Sequence, residues 1–169
     1  MNCQRCPLSS QRSNICLARG KAPCDVVFCG EAPGVSEDAL GRVFIGPAGK
    51  LLDRIIDRAF GEVQPTYCLT NLVCCFPREA KREGTNEPSK EAIEACRPRL
   101  MELLQLCNPR LIVAVGDLAR KHLIAGGMLK GRAFCSITHP AAILRADITQ
   151  QGLLFQRAIV TIADAADEI

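Results

Sequence analysis

At 169 residues the chain is long enough for one compact domain and too short for two ordinary ones. A composition that is 48% hydrophobic and 23% charged excludes a disordered chain, and a net charge of +3 permits a nucleic-acid partner without arguing for one. No run approaches the roughly 20 apolar residues of a membrane span, and the opening MNCQRCPLSS lacks the apolar core of a signal peptide, so a soluble, cytoplasmic protein is expected.

In chain order, residues 25–30 (DVVFCG) read as a short buried strand. The glycine- and proline-rich stretch GEAPGVSEDALGRVFIGPAG follows and reads as a loop. In KLLDRIIDRAF, Leu51, Leu52, Ile55, Ile56 and Phe60 share one helical face. Thr66–Val73 is the second strand, and CCFPREAKREGTNEPS a polar, turn-rich loop. Pro88 and Ser89 open a helix bearing Ile93, Cys96, Leu100, Leu103 and Leu104, which Pro98 is expected to kink or split. RLIVAV (110–115) is a third strand, GDLARKHLIAGG the helix after it, and RAFCSIT (132–138) a fourth strand ending at His139-Pro140. A last helix runs from about Thr149 to Ala166.

Strands alternating with helices predict a single α/β domain over residues 1–169, a three-layer α/β/α sandwich with a short, mostly parallel four-stranded sheet. Ligands bind such sheets at the carboxyl ends of the strands. GEAPG follows the first strand, Asn71 lies near the end of the second and His139 follows the fourth.

The first loop is neither a P-loop nor a G-x-G-x-x-G turn, although Gly46-Pro47-Ala48-Gly49 at a helix start suits an anion. Phe44 stands among glycines, outside any apolar periodicity; it either stacks on a planar ligand or staples the loop to the core. Glu31, Glu37 and Asp38 give the loop three carboxylates. His139 leaves a buried strand and precedes a proline, which fixes an extended conformation and suits a rigid catalytic imidazole. His122 reads as a surface residue of a helix. The Asn71 amide either reads a base edge or closes an Asx turn. With six Phe, one Tyr and no Trp, a broad stacking platform for single strands is excluded.

Eleven cysteines in a chain with no export signal argue against a disulfide framework. Cys29, Cys68 and Cys135 lie in apolar runs and read as core. Cys3-x2-Cys6 is the strongest local metal signal, and four thiolates can hold zinc or an iron–sulfur cluster. One completion adds Cys16 and Cys24, making a local zinc knuckle. The other adds one of Cys74 and Cys75 together with Cys96, tying the N-terminal segment to the loop and helix after the second strand. Spacing leaves both open.

Taken together, GEAPGVSED (30–38), GRVFIGPAGKLL (41–52), TNLVCC (70–75), ACRPRL (95–100) and HPAAILR (139–145) resemble, in order and spacing, the iron–sulfur (family 4) uracil-DNA glycosylases. The resemblance implies a DNA-repair enzyme that excises uracil by hydrolysing its N-glycosidic bond. It implies a [4Fe–4S] cluster held by Cys3, Cys6, Cys75 and Cys96. Phe44 matches the ring that stacks on flipped uracil, Asn71 the amide that reads N3 and O4, and His139 the imidazole that stabilises charge on O2. Glu31 and Glu37 match the acids of the loop. Ala32 stands where better-known uracil glycosylases carry an aspartate, so one of these glutamates must substitute or leaving-group stabilisation must dominate. Leu144, beside Arg145, falls where the superfamily inserts a side chain into the DNA stack.

The segment after Cys75 departs from the family and resembles the insert of a cross-linking branch, but residues 78–88 contain no histidine to capture the sugar. The expectation is therefore a monofunctional hydrolase acting as a monomer on single- or double-stranded uracil-containing DNA, with Lys81 and Arg82 on phosphates and no membrane partner. The rival readings are a relative that binds uracil or abasic DNA with little turnover or altered base specificity, and a zinc-stabilised nucleic-acid protein.

Overall fold

The computed structural model describes residues 2–78 and 87–169. A short 3-10 turn (Pro7–Ser10) precedes strand β1 (Ala18–Gly20). Then follow β2 (Val26–Gly30), α1 (Val35–Leu40), α2 (Pro47–Phe60), β3 (Tyr67–Asn71), α3 (Lys90–Cys107), β4 (Leu111–Val115), α4 (Asp117–Ala125), β5 (Ala133–Ile137), α5 (Pro140–Arg145) and α6 (Ile148–Ala166). The sheet order is β1-β3-β2-β4-β5. β2 pairs in parallel with both β3 and β4, and β4 with β5, while β1 adds an antiparallel edge to β3.

The sheet is therefore five-stranded, not four. β1 escapes sequence reading because it has only three residues, Ala18, Arg19 and Gly20, without an apolar alternation. The class is as expected: an α/β sandwich whose central strands are buried on both faces. In β2, Val26 and Phe28 point to one core while Val27 and Cys29 point to the other. In β4, Leu111, Val113 and Val115 share the first core, and Ile112 and Ala114 the second. This period of two on strands apolar throughout marks a parallel sheet covered by helices on both sides. Leu52, Ile55 and Ile56 of α2 and Ile162 of α6 cover the first face; Ile93, Leu100 and Leu104 of α3 and Leu123 of α4 cover the second.

Two expectations about helices change. Pro98 lies inside α3, yet Lys90–Cys107 is one continuous helix rather than two. Ser89 caps its start, with Oγ accepting from the Ala92 N–H at 3.2 Å. The stretch read as a loop after β2 contains the helix α1. Its buried residues are Glu37 and Asp38, whereas its apolar Val35 and Leu40 face solvent, the reverse of the usual pattern.

β2 is followed in sequence by its neighbour on one side, β3, and the chain then crosses to its other side for β4 and β5. The strand order thus reverses at β2, and the crevice at the carboxyl ends of β2 and β4 is where a ligand belongs. Leu52 of α2 is fully buried in the core that the sheet, α2 and α6 share. Leu52→Ala is expected to lower stability by about 2–5 kcal/mol, read as a reduced denaturant midpoint with an unchanged slope.

Candidate active site and cysteine cavity

A cleft of about 890 Å3 opens at that end of the sheet. Glu31 and Ala32 reach it from the end of β2, Asn71 from β3, Gly116 and Asp117 from the β4–α4 turn, and Ser136–His139 from β5. Phe44, Glu37 and the start of α2 line the opposite wall. Leu154, Arg157, Ala158 and Thr161, one face of α6, complete it. Glu31, Glu37, Phe44, Asn71, His139 and Arg145 are thus brought together around one cavity. Leu144, on α5, is 44% exposed next to Arg145. Lys81 and Arg82 lie outside the described residues.

The Phe44 ring and the Asn71 amide meet over Gly30. A Cβ at Gly30 would sit 2.5 Å from Phe44 Cζ and 2.5 Å from Asn71 Oδ1, so only glycine lets both side chains occupy this space. Asn71 is 3% exposed, and its side-chain amide makes no hydrogen bond among the described residues. A buried amide without a partner is costly unless a ligand completes it. Phe44 is 6% exposed and has φ +53°, a left-handed backbone that phenylalanine rarely adopts. Its surroundings hold it there. The Phe44 carbonyl accepts from Arg19 Nη2 at 3.1 Å, and the same nitrogen pairs with Asp53 of α2 at 2.6 Å. Glu37 Oε1 accepts from the next two backbone N–H groups, Ile45 at 2.9 Å and Gly46 at 2.8 Å.

The carboxylates of the loop consequently separate by role. Glu37 is engaged in bracing the Phe44 turn. Asp38 anchors the N-terminal segment: Oδ1 accepts from the Ser13 and Asn14 N–H groups, and Oδ2 pairs with Arg78 at 2.9 Å. Burial opposes its charge, but Arg78 and these N–H groups outweigh that and hold its carboxyl below the usual range. Glu31 makes no side-chain hydrogen bond among the described residues and faces the cleft. Its pKa is raised, first by burial and then by the Glu87 carboxylate, with Arg145 acting the other way. Glu31 and His139 flank Gly116, whose φ is +102°; a Cβ there would lie 2.7 Å from Glu31 Oε1 and 3.2 Å from the imidazole Cδ2.

His139 caps α5. Its Nδ1 accepts from the Ala141 N–H at 3.1 Å, so Nδ1 carries no proton and the neutral ring carries its proton on Nε2. Burial, and then the charge of Arg145, depress its pKa to about 4. The imidazole is therefore a neutral N–H donor at physiological pH. The sequence had not marked Arg120, Arg157 or Thr161 as cleft residues. The spacing of Leu154, Arg157, Ala158 and Thr161 at i, i+3, i+4 and i+7 was the available signal, two polar residues within an otherwise apolar stripe.

A second, smaller cavity of about 60 Å3 is bounded by Cys3, Cys6, Cys74, Cys75 and Cys96 together with Arg12 and Arg99. Arg12 Nη1 donates to Cys75 Sγ at 3.7 Å, and its Nη2 donates to the Cys3 carbonyl at 2.8 Å. The Cys74 thiol and backbone, with the Arg99 guanidinium, draw the Cys96 thiol down towards the thiolate, the form that binds metals. Cys16 and Cys24 are elsewhere. Cys16 Sγ donates to the Glu37 carbonyl at 3.1 Å, and Cys24 lies against Cys107 and near Cys68. Cys3, Cys6, Cys74, Cys75 and Cys96 therefore line one cavity, and Cys16 and Cys24 do not line it. Among the described residues, no three His, Cys, Asp or Glu side chains converge closely enough to hold a single metal ion.

A family model for the uracil DNA glycosylase superfamily matches residues 18–162. The chain is similar to the type-4 uracil-DNA glycosylase of Pyrobaculum aerophilum, at 35% identity over 163 residues, covering 85% of this chain and 80% of the relative. It is 33% identical over 138 residues to the enzyme of that name from Sulfurisphaera tokodaii, covering 82% and 59% of the two chains. A solution NMR structure of a candidate uracil DNA glycosylase from Methanosarcina acetivorans shares the fold, with a TM-score of 0.61 at 13% identity over 91% of this chain and 98% of that one.

The protonation of His139 is directly measurable. Imidazole nitrogen shifts are expected to show an unprotonated Nδ1 and a protonated Nε2 from pH 8 down to about pH 5, with titration near 4 rather than 6.5. Because the folded pKa is the lower one, the unfolded chain binds more protons between these values. The stability that this group contributes is complete above about pH 6.5 and is lost as pH falls through about 4. A titration near 6.5 would contradict the assignment.

Proposed function

The chain belongs to the uracil DNA glycosylase superfamily and, within it, to the type-4 uracil-DNA glycosylases, and from that premise we infer that the cleft at the end of the sheet is where uracil is cut from DNA. The reaction is hydrolysis of the N-glycosidic bond, releasing free uracil and leaving an abasic site, as in base excision repair. The observation that carries the assignment to this cleft is the Asn71 amide, buried and without a hydrogen-bond partner among the described residues, against the Phe44 ring, with the Nε2–H of His139 in the same cavity.

Uracil inside a duplex must be extruded before its glycosidic bond can be reached. Phe44 offers a fixed face on which the flipped ring stacks. The Asn71 oxygen accepts from N3–H, and its NH2 donates to O4. Cytosine reverses both groups and leaves the buried amide unsatisfied, which is a stronger rejection than steric fit supplies. As the bond breaks, negative charge gathers on uracil O2 and positive charge on the sugar. The neutral His139 donor strengthens on O2 as that charge develops, worth about 2.7–4 kcal/mol for one well-placed donor. Glu31, whose carboxylate has no hydrogen-bond partner among the described residues, is the group that favours the sugar cation and orients water, in place of the aspartate absent at Ala32. Glu37 acts indirectly, through the Phe44 turn. Leu144 fills the space left by the extruded base, and Arg145 and Arg157 contact phosphates.

The cysteine cavity fits a [4Fe–4S] cluster held by Cys3, Cys6, Cys75 and Cys96. These four cysteines, from three segments distant in sequence, line it, Arg12 bonds to Cys75, and Arg99 presents a buried Nε with no hydrogen-bond partner among the described residues. When bound, the cluster joins the N-terminal segment, the turn after β3 and α3 by metal–thiolate bonds. The enzyme works on uracil-containing DNA as a monomer in the cytoplasm.

Incubation with a uracil-containing oligonucleotide is expected to release uracil over multiple turnovers, with no adduct surviving denaturing electrophoresis. Asn71→Asp is expected to lose most excision, and His139→Ala about 100- to 1,000-fold in rate. The acid limb of the rate profile should lie above the ordinary carboxylate range, and Glu31→Gln should flatten it. Failure to release uracil, or a stable adduct, would refute the proposal. For the cluster, Cys75→Ala is expected to lose iron, visible absorption and much stability, while Cys74→Ala keeps all three; the opposite pattern would exchange the two thiols.

A further inference from the structure

Arg99 stands between the two sites. It projects from α3, three residues after Cys96, and lines the cysteine cavity. Its guanidinium also reaches the end of the base-reading strand. Nη1 donates to Thr70 Oγ1 at 2.9 Å, and Nη2 donates to the carbonyls of Asn71 at 2.7 Å and Leu72 at 3.1 Å. Thr70 Oγ1 in turn donates to the Leu17 carbonyl at 2.9 Å. The third donor, Nε, is buried and has no hydrogen-bond partner among the described residues.

We propose that Arg99 is a positioning residue that couples the cluster to base recognition, donating from Nε to a sulfur of the bound cluster while its two Nη atoms fix the strand end carrying Asn71. This rests on the roles given above to Asn71 and the cysteines. A guanidinium is planar and rigid, so its three donors cannot move independently. Two are committed to oxygens of residues 70–72. The third has no partner among the described residues, and Arg99 lines the cysteine cavity, where an anionic cluster is the natural acceptor for a charged N–H. The position of the sulfur then sets the position of the Asn71 carbonyl, and through one residue of backbone, of the amide that reads uracil. Lysine cannot reproduce this, because a single ammonium cannot hold three acceptors at such fixed angles.

The test uses the iron-loaded protein and five variants: Arg99→Gln, Arg99→Lys, Asn71→Ala and the two double variants of the last with each arginine substitution. Arg99→Gln should retain iron but shift the cluster's reduction potential to more negative values, because a charged donor near sulfur is removed. Its kcat/KM for uracil release should fall about tenfold or more, and in the Asn71→Ala background the further loss should be under about twofold. Arg99→Lys should return the potential most of the way while remaining impaired in kcat/KM. If Arg99→Gln does not fold, Arg99→Lys carries the same double-variant comparison. An unchanged potential, or losses that simply multiply in the double variant, would overturn the coupling. Inactivity of the unmodified protein would instead refute the proposed function and leave the potential as the measure of the Arg99–cluster contact.

Discussion

The site depends on a phenylalanine held in a backbone conformation that it does not favour. A left-handed residue of this kind costs on the order of 1–3 kcal/mol, and at Phe44 the cost is met by three fixed contacts. Arg19 pins the carbonyl and is itself pinned by Asp53, while Glu37 binds the two N–H groups that follow. Relaxing the turn would move the ring away from Gly30 and Asn71 and leave the cleft without its stacking surface. The same bracing explains why α1 is built with its carboxylates inward. Glu37 serves the turn, and Asp38, bound to Ser13, Asn14 and Arg78, fastens α1 to the segment leading from Cys3 and Cys6.

Two physical routes therefore join the cysteine cavity to the cleft. One runs through Arg12 and the N-terminal segment to Asp38, α1 and the Phe44 turn. The other runs through Arg99 to the end of β3. On the proposed reading, a cluster remote from the chemistry governs both groups assigned to the base, the ring by one route and the amide by the other. His139 depends on neither. It is fixed by its own cap bond to Ala141 and by Gly116, whose missing side chain admits both the imidazole and Glu31.

Much of this was legible in the sequence. The continuous apolar runs of β2 and β4 require a sheet covered on both sides, and the motifs at strand ends bring Glu31, Phe44, Asn71 and His139 into one cleft. What escaped did so for identifiable reasons. β1 is too short to show a period, and α1 has its apolar residues outside and its acids inside, so hydrophobic periodicity misreads it as loop. Pro98, expected to kink or split its helix, does not split it. Glu31 and Glu37 are equivalent in sequence and diverge only in three dimensions, one in hydrogen bonds to a turn and the other facing the cleft. Arg99 reads as an ordinary charged helix residue until the carbonyls it holds are seen.

The central claim is that the buried Asn71 amide, which has no hydrogen-bond partner among the described residues, recognises uracil on the face of Phe44. It is tested most directly without any chemistry, by titrating the isotopically labelled protein with free uracil and following the side-chain NH2 signals of Asn71. The account predicts that uracil shifts these two signals and the ring protons of Phe44, and that cytosine at the same concentration leaves them in place. Equal shifts with both bases, or uracil shifts confined to other parts of the protein, would contradict it.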